Sequence, residues 1–254
     1  MTVALKKNQI RTKLLFTLLL VFAALLGYQW YLNRTNFVVY KAFGIAIPIN
    51  YSLHGIDVSH HNGNINWQLV KAMNIDGIKV SFAFIKATEG VSTVDEKFGY
   101  NWQQCQKYKI TRGAYHYFNE YKTGAAQAQN FIATVGDLQP GDLPPVLDIE
   151  SNRGVDKNIL CKEAIDWLTI IEQHYGIKPI VYTYVNFYAN NLNEQFSSYP
   201  FWAAHYNEKH QPNTQRNWAF WQHNDGGNIN GITTKVDFNV YNGDWLNFNN
   251  LLVH

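Results

Sequence analysis

Eight short apolar runs of strand length constrain the fold of this chain more than any other feature. They cover residues 54–58, 81–87, 112–118, 144–150, 178–184, 200–206, 217–222 and 235–241. Amphipathic helical patterns follow the early runs, whereas segments rich in Asn, Gly and Gln separate the last three. Strands that alternate with helices indicate βαβ units and a parallel sheet. We therefore predict an α/β fold, a barrel of eight strands in which the first five crossovers are helical and the later ones are mostly loops.

The amino terminus carries a long apolar run. Residues 14–32 read LLFTLLLVFAALLGYQWYL, close to the roughly 20 residues that a helix needs to cross the hydrocarbon of a membrane. Basic residues precede this run, and aromatic residues cluster at its far end, namely Tyr28, Trp30 and Tyr31. Both features are typical of a transmembrane helix with a cytoplasmic amino terminus. The pattern predicts an uncleaved, single-pass signal-anchor.

This reading divides the chain into a cytoplasmic basic tail (1–13), the transmembrane helix (14–32), a linker (33–53) and a barrel domain (54–254) in the periplasm or extracellular space. A cleaved signal peptide and a buried soluble helix are the alternatives. The best cleavage frame after the apolar run ends at Gly27 and has a leucine where a small residue is needed.

Charge and cysteine content exclude several classes of function. Residues 1–34 contain five basic side chains and no acidic one, so the remainder, with 16 of the 21 basic and all 19 acidic residues, carries a net charge of −3. A mildly acidic body argues against nucleic acid as a partner, because phosphate binding needs a basic patch. Two cysteines cannot form a disulfide scaffold or a four-cysteine zinc site. We expect no cofactor and a monomer.

Carboxylates accompany the predicted strands. Asp57 ends the first run, Asp148 and Glu150 end the fourth, and Asp237 lies in the eighth. The carboxyl ends of parallel barrel strands surround one mouth, where active sites are built. Like-charge repulsion and burial there raise carboxyl pKa values, which keeps an acid protonated near neutral pH. Because a pair of Asp or Glu residues is the minimal requirement for cleaving a glycosidic bond, the pattern predicts a glycosidase.

A metal site is the other use of clustered acids. His60, His61 and His116 could add zinc-type ligands to carboxylates that suit Mg²⁺ or Ca²⁺. No H-E-x-x-H or similar fixed spacing is present, and the adjacent His60 and His61 would point apart on a strand. Metal catalysis is therefore the weaker interpretation.

Eight motifs, taken in order, resemble those of glycoside hydrolase family 25, a family of lysozymes. The resemblance covers residues 54 to about 250, and its motifs are GIDVSHHNGNINW (55–67), FAFIKATEG (82–90), RGAYHYF (112–118), PPVLDIES (144–151), PIVYTY (179–184), FWAAHY (201–206), WAFWQH (218–223) and VDFNVYNG (236–243). The departures are His60-His61, where the family often carries an aromatic residue, and His223, where tyrosine is common.

The resemblance implies a TIM-like barrel of irregular (β/α)5(β)3 type. It also implies hydrolysis of the β-1,4 bond between N-acetylmuramic acid and N-acetylglucosamine in peptidoglycan glycan strands. Glu150 would be the general acid, Asp148 would assist through the acetamido group of the substrate, and Asp57 and Asp237 would complete the acidic mouth. The candidates for holding the sugar are Tyr117, Tyr184, Trp202, Tyr206 and Gln222.

Several alternatives stay open on the sequence alone. Retaining and inverting routes differ in the separation of the two carboxyl groups, and substrate assistance is the third and favoured route. A non-catalytic wall-binding protein on the same barrel is the competing function. A chitin hydrolase and a metal-dependent deacetylase are further candidates. The predicted partners are glycan strands and, through the amino-terminal helix, a membrane.

Overall fold

The computed structural model describes residues 2–32, 36–192 and 194–254. They fall into two compact units, Met1–Asn36 and Phe37–His254. Residues 33–35, at the start of the predicted linker, lie outside the described residues.

The first unit contains one helix, α1 (Thr2–Leu32). In the described part of the chain, no helix is both long enough and apolar enough to cross a membrane. The predicted transmembrane helix at residues 14–32 is therefore wrong, and membrane attachment through this helix is not supported. The apolar run stops at Leu26 and is followed by Gly27, Tyr28 and Gln29, so it is shorter than the roughly 20 residues required.

The second unit begins with a hairpin in the segment that the sequence analysis treats as a linker. Strands β1 (Phe37–Tyr40) and β2 (Ile45–Pro48) pair antiparallel. One side of this hairpin is buried: Ile45, Ile47 and the turn residue Phe43 belong to the main hydrophobic core.

Eight strands of the second unit close into a barrel, and each of the eight apolar runs supplies one. They are β3 (His54–Val58), β5 (Ile78–Glu89), β7 (Thr111–Tyr117), β8 (Val146–Asp148), β9 (Ile180–Tyr184), β10 (Phe201–Ala204), β11 (Phe220–Gly227) and β12 (Val236–Tyr241). Pairing of β3 with β5 closes the sheet. Two short strands, β4 (Asn74–Ile75) and β6 (Thr93–Val94), pair with β5.

Helices follow the first five barrel strands and are replaced by loops after the next two. These helices are α2 (Trp67–Ala72), α3 (Phe98–Lys107), α4 (Gly124–Val135), α5 (Lys157–Tyr175) and α6 (Val185–Asn191). The chain ends with α7 (Trp245–Leu251), and short 3₁₀ helices lie at His60–Asn62 and Glu194–Ser198. The barrel and its surrounding helices agree with the predicted (β/α)5(β)3 arrangement, and the transmembrane helix predicted to precede them in the sequence is the first correction to the predicted fold.

The direction of the last barrel strand differs from the prediction of a parallel barrel. Strand β12 runs antiparallel to both β11 and β3, whereas the other barrel pairs are parallel. Parallel neighbours need a crossover of a dozen or more residues, and only residues 228–235 connect β11 to β12. A connection this short reverses the chain direction.

Aromatic rings fill the barrel interior below the carboxylates. Phe84 stacks on Trp202 with a centroid separation of 4.2 Å, and Phe82 and Phe220 pack edge-on beside them. Strand β3 carries Gly55 at this level because a Cβ there would collide with the Phe82 ring. These four rings belong to one buried cluster and form the aromatic floor of the barrel.

The hairpin covers the part of the barrel wall that has no helices. Phe37 packs edge-on against Trp221 of β11 at 5.9 Å, and Phe43 packs against Phe238 of β12 at 5.5 Å. The backbone N–H of Asn228 donates to the Phe43 carbonyl at 2.8 Å. Residues 37–48 thus occupy a position that helices occupy elsewhere around the barrel.

Candidate active site

Two of the four predicted acids face each other across a pair of adjacent strands. Asp57 on β3 is in register with Asp237 on the antiparallel β12. Asp237 is the second residue of its strand and Asp57 the penultimate residue of its own. The structure therefore brings Asp237 to the mouth from the amino end of its strand, and the reversed direction of β12 is what makes this possible.

A network of buried amides holds Asp57. Its Oδ2 atom accepts hydrogen bonds from Gln222 Nε2 at 2.8 Å and from Asn239 Nδ2 at 2.7 Å. Gln222 Oε1 in turn accepts from the hydroxyls of Tyr182 and Tyr206. These contacts use both ends of the Gln222 amide and fix the orientation of the Asp57 carboxylate.

Asn239 extends the network towards the aromatic floor. Its Oδ1 atom accepts a hydrogen bond from Trp202 Nε1 at 2.8 Å. Asn239 follows Asp237 by two residues on β12, so both side chains lie on the inner face of the barrel. The sequence contained this signal, because period-2 alternation from Asp237 singles out position 239.

Burial changes the protonation of the Asp57–Asp237 pair. It raises the pKa of Asp57 to about 6 and that of Asp237 to about 9. The negative charge of Asp57 raises the pKa of Asp237 further, and a hydrogen bond joins the two carboxyls. Near neutral pH the pair therefore holds one proton. This proton lies on Asp237, which donates a hydrogen bond to the ionised Asp57.

The other two acids lie at the end of β8. Asp148 is buried, with 7% of its surface exposed, and its Oδ1 atom has no hydrogen-bond partner within the described residues. Burial, followed by the charge of Glu150, raises the pKa of Asp148 well above its usual range. Burial also raises the pKa of Glu150, and a hydrogen bond from Tyr182 partly opposes that shift.

One cavity of about 600 Å³ gathers these groups at the mouth of the barrel. All nine residues that the sequence analysis named for catalysis or sugar binding line it, namely Asp57, Asp148, Glu150, Asp237, Tyr117, Tyr184, Trp202, Tyr206 and Gln222. Their burial differs: Tyr184 is 37% exposed, whereas Trp202 and Gln222 are each only 2% exposed. Tyr184 therefore offers an open ring face, and the other two act mainly from within the wall.

Lys86 and Glu89 also form part of the cavity wall. Lys86 Nζ lies 2.7 Å from Glu89 Oε2 and 4.9 Å from the centroid of the Tyr117 ring. Its positive charge lowers the pKa of Asp148 and of Glu150, against the larger effect of burial. Lys86 therefore limits how strongly the neighbouring acids repel one another.

The histidines do not form a metal site with these acids. His116 is buried outside the cavity, where its ring nitrogens contact Thr88 Oγ1 at 2.7 Å and Gln127 Oε1 at 3.1 Å. His60 contacts Asp95 at 2.7 Å, and His61 lines the cavity rim. Among the described residues, no group of three or more His, Cys, Asp or Glu side chains is placed to hold a metal ion.

Comparison with known proteins agrees with the geometry of this mouth. The model of glycosyl hydrolases family 25 matches residues 56–232. The chain belongs to glycosyl hydrolase family 25. As a family 25 protein it is a glycosidase of the muramidase kind.

Individual relatives span most of the barrel. The protein YegX of Escherichia coli strain K12 is 44% identical over 213 residues, which cover 84% of this chain and 78% of YegX. Lysozyme M1 of Streptomyces globisporus is 32% identical over 205 residues, covering 75% and 68%. The crystal structure of a lysozyme from Streptomyces coelicolor superposes with a TM-score of 0.71 at 31% identity, covering 79% of this chain and 97% of that one.

Tyr182 and Arg153 are among the cavity residues that the sequence analysis of this family 25 chain did not name as site residues. Tyr182 lies on β9 in register with Asp148. Its hydroxyl donates a hydrogen bond to Gln222 Oε1 and is also within hydrogen-bonding reach of Glu150. Arg153 lines the rim from the loop that follows β8. Tyr182 lies in a run of apolar and aromatic residues that looks like core, and Arg153 lies in a polar loop without any periodic pattern.

Proposed function

We propose that the chain hydrolyses the β-1,4 bond between N-acetylmuramic acid and N-acetylglucosamine in peptidoglycan, with Glu150 as general acid and Asp148 assisting. The observation that carries this proposal is the β8 terminus, where two carboxyls with raised pKa values line one cavity. We also propose that the barrel works outside the cytoplasm, where this substrate lies.

Glu150 suits the role of proton donor. It is less deeply buried than Asp148, so it can reach a glycosidic oxygen in the cavity while burial still raises its pKa. A carboxylic acid that keeps its proton near neutral pH can protonate the leaving oxygen as the bond breaks. The Tyr182 hydroxyl, which donates its single proton to Gln222 Oε1 in the structure, can turn to donate to the Glu150 carboxylate that remains after the proton has left.

Asp148 suits the role of assisting the substrate acetamido group. Asp148 lines the cavity, and its buried Oδ1 atom has no partner among the described residues, so this carboxyl has an unused acceptor for a substrate N–H group that approaches it. An acetamide held in this way attacks the anomeric carbon through its own carbonyl oxygen. Because burial and mutual repulsion oppose a double negative charge, Asp148 and Glu150 share a proton; when that proton is on Glu150, the Asp148 carboxylate stabilises the positive charge that develops on nitrogen. Substrate assistance is therefore the route that we favour.

The remaining acids and aromatic side chains shape the rest of the cavity. Asp57, fixed by the Gln222 and Asn239 amides, places one negative charge opposite β8, while Asp237 keeps its proton. Tyr184, which is exposed, and Tyr117, which is half-buried, are proposed to contact sugar rings. Gln222, in contrast, is proposed to act by holding Asp57.

Glu150→Gln tests the proposal because it removes the proton donor and keeps the side-chain shape. With purified peptidoglycan as substrate, the wild type should release fragments with muramic acid at the new reducing end, identified by mass spectrometry after reduction. The variant should lose about 10²–10⁴-fold in rate. Glu194→Gln, at an exposed carboxyl outside the cavity, is the matched control and should keep full activity.

Two results would contradict the proposal. A Glu150→Gln variant that still releases muropeptides at nearly the wild-type rate would remove Glu150 from its role. New glucosamine reducing ends or free acetate from the wild type would point instead to a different carbohydrate enzyme.

A further inference from the structure

Arg153 is a cavity residue to which the proposed reaction assigns no role. It follows Glu150 by three residues, on the loop between β8 and α5, and its side chain lines the mouth. Its φ is +37°, and the next residue, Gly154, has a φ of +85°. A positive φ is uncommon for a residue other than glycine, so the surrounding contacts must hold Arg153 in this turn.

Those contacts come from the loop after β7. Arg153 Nε lies 3.2 Å from Oε1 of Glu120, a carboxylate whose side chain is only 3% exposed. Ser151 Oγ donates to the same oxygen at 3.2 Å. The hydroxyl of Tyr121 donates to the Arg153 carbonyl at 2.9 Å. The side chain and the backbone of Arg153 are therefore both held in place from a neighbouring loop.

The terminal nitrogens of Arg153 are available to a ligand. Its side chain is 62% exposed, and within the described part of the chain its guanidinium is ion-paired to Glu120 alone, through the Nε edge. The two terminal nitrogens carry four of the five N–H donors of an arginine. The two lysines that line the cavity already have partners, because Lys86 Nζ pairs with Glu89 and Lys235 Nζ donates to Asn228 Oδ1 at 2.8 Å.

We propose that Arg153 binds a carboxylate carried on the lactyl substituent of the muramic acid ring, and so selects this sugar over N-acetylglucosamine. This inference rests on the proposed function. The lactyl ether lies on C3, next to the C2 acetamido group that Asp148 is proposed to hold, so it leaves the ring close to the loop of Arg153. The planar guanidinium fork matches a carboxylate in two parallel hydrogen bonds.

Two carboxylates fit this chemistry, and the test separates them. In intact peptidoglycan the lactyl group carries a stem peptide with its own carboxylates, whereas removal of the stem peptide frees the lactyl carboxylate itself. Initial rates of the wild type and Arg153→Gln are measured on both glycans, before and after carbodiimide amidation of the carboxylates. The glycan with the larger effect identifies the source.

Arg153→Gln should raise KM by about 10- to 100-fold on the carboxylated glycan, the usual loss for a hydrogen bond to a charged group, with kcat nearly unchanged. Amidation should abolish the difference between the variant and the wild type. Arg153→Lys should recover part of the loss. Lys162→Gln removes a positive charge from the exposed surface of α5 and should behave as the wild type.

An unchanged KM in Arg153→Gln, or the same rise in KM on amidated and on carboxylated glycans, would overturn the inference, because the second result shows that Arg153 only supports its loop. Failure of the proposed function is separable. If the wild type releases no muramic acid reducing ends, binding of both glycans to proteins with and without Arg153→Gln, in a Glu150→Gln background, still measures the carboxylate preference.

Discussion

Strands β3, β11 and β12 together form a part of the barrel wall with buried titratable side chains on its inner and its outer face. Burial shifts the pKa values of these groups in opposite directions on the two faces. On the inner face, burial raises the pKa of Asp57 and Asp237, whereas on the outer face it lowers the pKa of His54 to about 4 and of His223 to about 3. The physical cause is the same, because removal from water disfavours the charged form of any group. Acids therefore keep their protons on the inside, and imidazoles lose theirs on the outside.

The two faces differ in what surrounds these groups. On the inner face, Gln222 and Asn239 donate hydrogen bonds to Asp57, and the cavity is open to a ligand. On the outer face, His54 Nδ1 and His223 Nε2 are buried without a hydrogen-bond partner in the described structure. The comparison teaches that burial alone does not make a site: the inner acids line a cavity that a ligand can enter, whereas His54 and His223 do not.

The largest expected effect is on the inner face, at Asp148. Asp148→Asn keeps the shape but removes the negative charge that we propose stabilises the reacting acetamido group. We expect a loss of about 10²–10³-fold in kcat, the usual cost of removing one electrostatic stabiliser of a transition state. Assays on normal and N-deacetylated glycan check the reason. The wild type should lose most of its activity on deacetylated glycan, and the variant should lose little more; an equal further loss would argue against substrate assistance.

The next largest effect is expected on the outer face, where the hairpin covers the barrel. Phe43 is 1% exposed, and Phe43→Ala should lower the free energy of unfolding by about 3–5 kcal/mol, the usual range for a buried phenylalanine. Val39→Ala, in the same hairpin but 74% exposed, should change it by less than about 0.5 kcal/mol. Urea denaturation measures both. A cost below about 1 kcal/mol for Phe43→Ala would show that the hairpin is not part of the core.

The pH dependence of stability separates the faces further. Because the pKa values of His54 and His223 are lowered in the folded state, the unfolded chain binds more protons than the folded one between about pH 6.5 and pH 4. Stability should therefore fall as pH drops through this window, by up to about 1.4 kcal/mol per pH unit for each histidine. The inner acids, whose pKa values are raised, act in the opposite direction and lose stability as pH rises.

The double variant His54→Gln/His223→Gln isolates the outer contribution. Its unfolding free energy, measured by urea denaturation from pH 4.5 to 7, should fall less steeply on acidification than that of the wild type. The buried His116, whose pKa is also lowered to about 4, should retain its own share of the slope. Parallel curves for the variant and the wild type would show that these two imidazoles are not kept neutral by the fold.

The inner face was the more predictable of the two from sequence. Alternation of apolar and polar residues placed Asp148 and Glu150 on one side of a strand, and the succession of strands and helices predicted the barrel. The direction of β12 depended on the length of a loop, a feature that periodicity does not report. The prediction of Asp237 at the mouth therefore assumed a parallel strand that the structure does not have.

The outer face shows why the rest could not be read from the chain. Residues 37–48 are apolar without a clear period, and their strands become evident only because Trp221 and Phe238 need cover where helices are missing. The run at 14–32 was predicted to cross a membrane from its composition, although the polar residues near its end shorten the apolar stretch. Arg153 depends on Glu120, a partner 33 positions away that no local pattern indicates.

The smallest expected effect tests how tightly the inner network holds Asp57. Tyr206→Phe removes one of the two hydroxyl donors to Gln222 Oε1 and leaves Tyr182 as the other. The net contribution of one such hydrogen bond to the free energy of unfolding is about 0.5–1.5 kcal/mol, and a loss of the same size from the transition state would lower kcat/KM by about 2- to 12-fold. Tyr100→Phe, which removes an exposed hydroxyl that donates to the Ile65 carbonyl away from the cavity, is the control and should leave kcat/KM unchanged.

If Tyr206 served only to bind sugar, the loss would lie in KM alone and the pH dependence of kcat would stay fixed. If it orients Gln222 and through it Asp57, the pH profile of kcat should also shift, because a more loosely held Gln222 donates a weaker hydrogen bond to Asp57 and the pKa of that acid rises further.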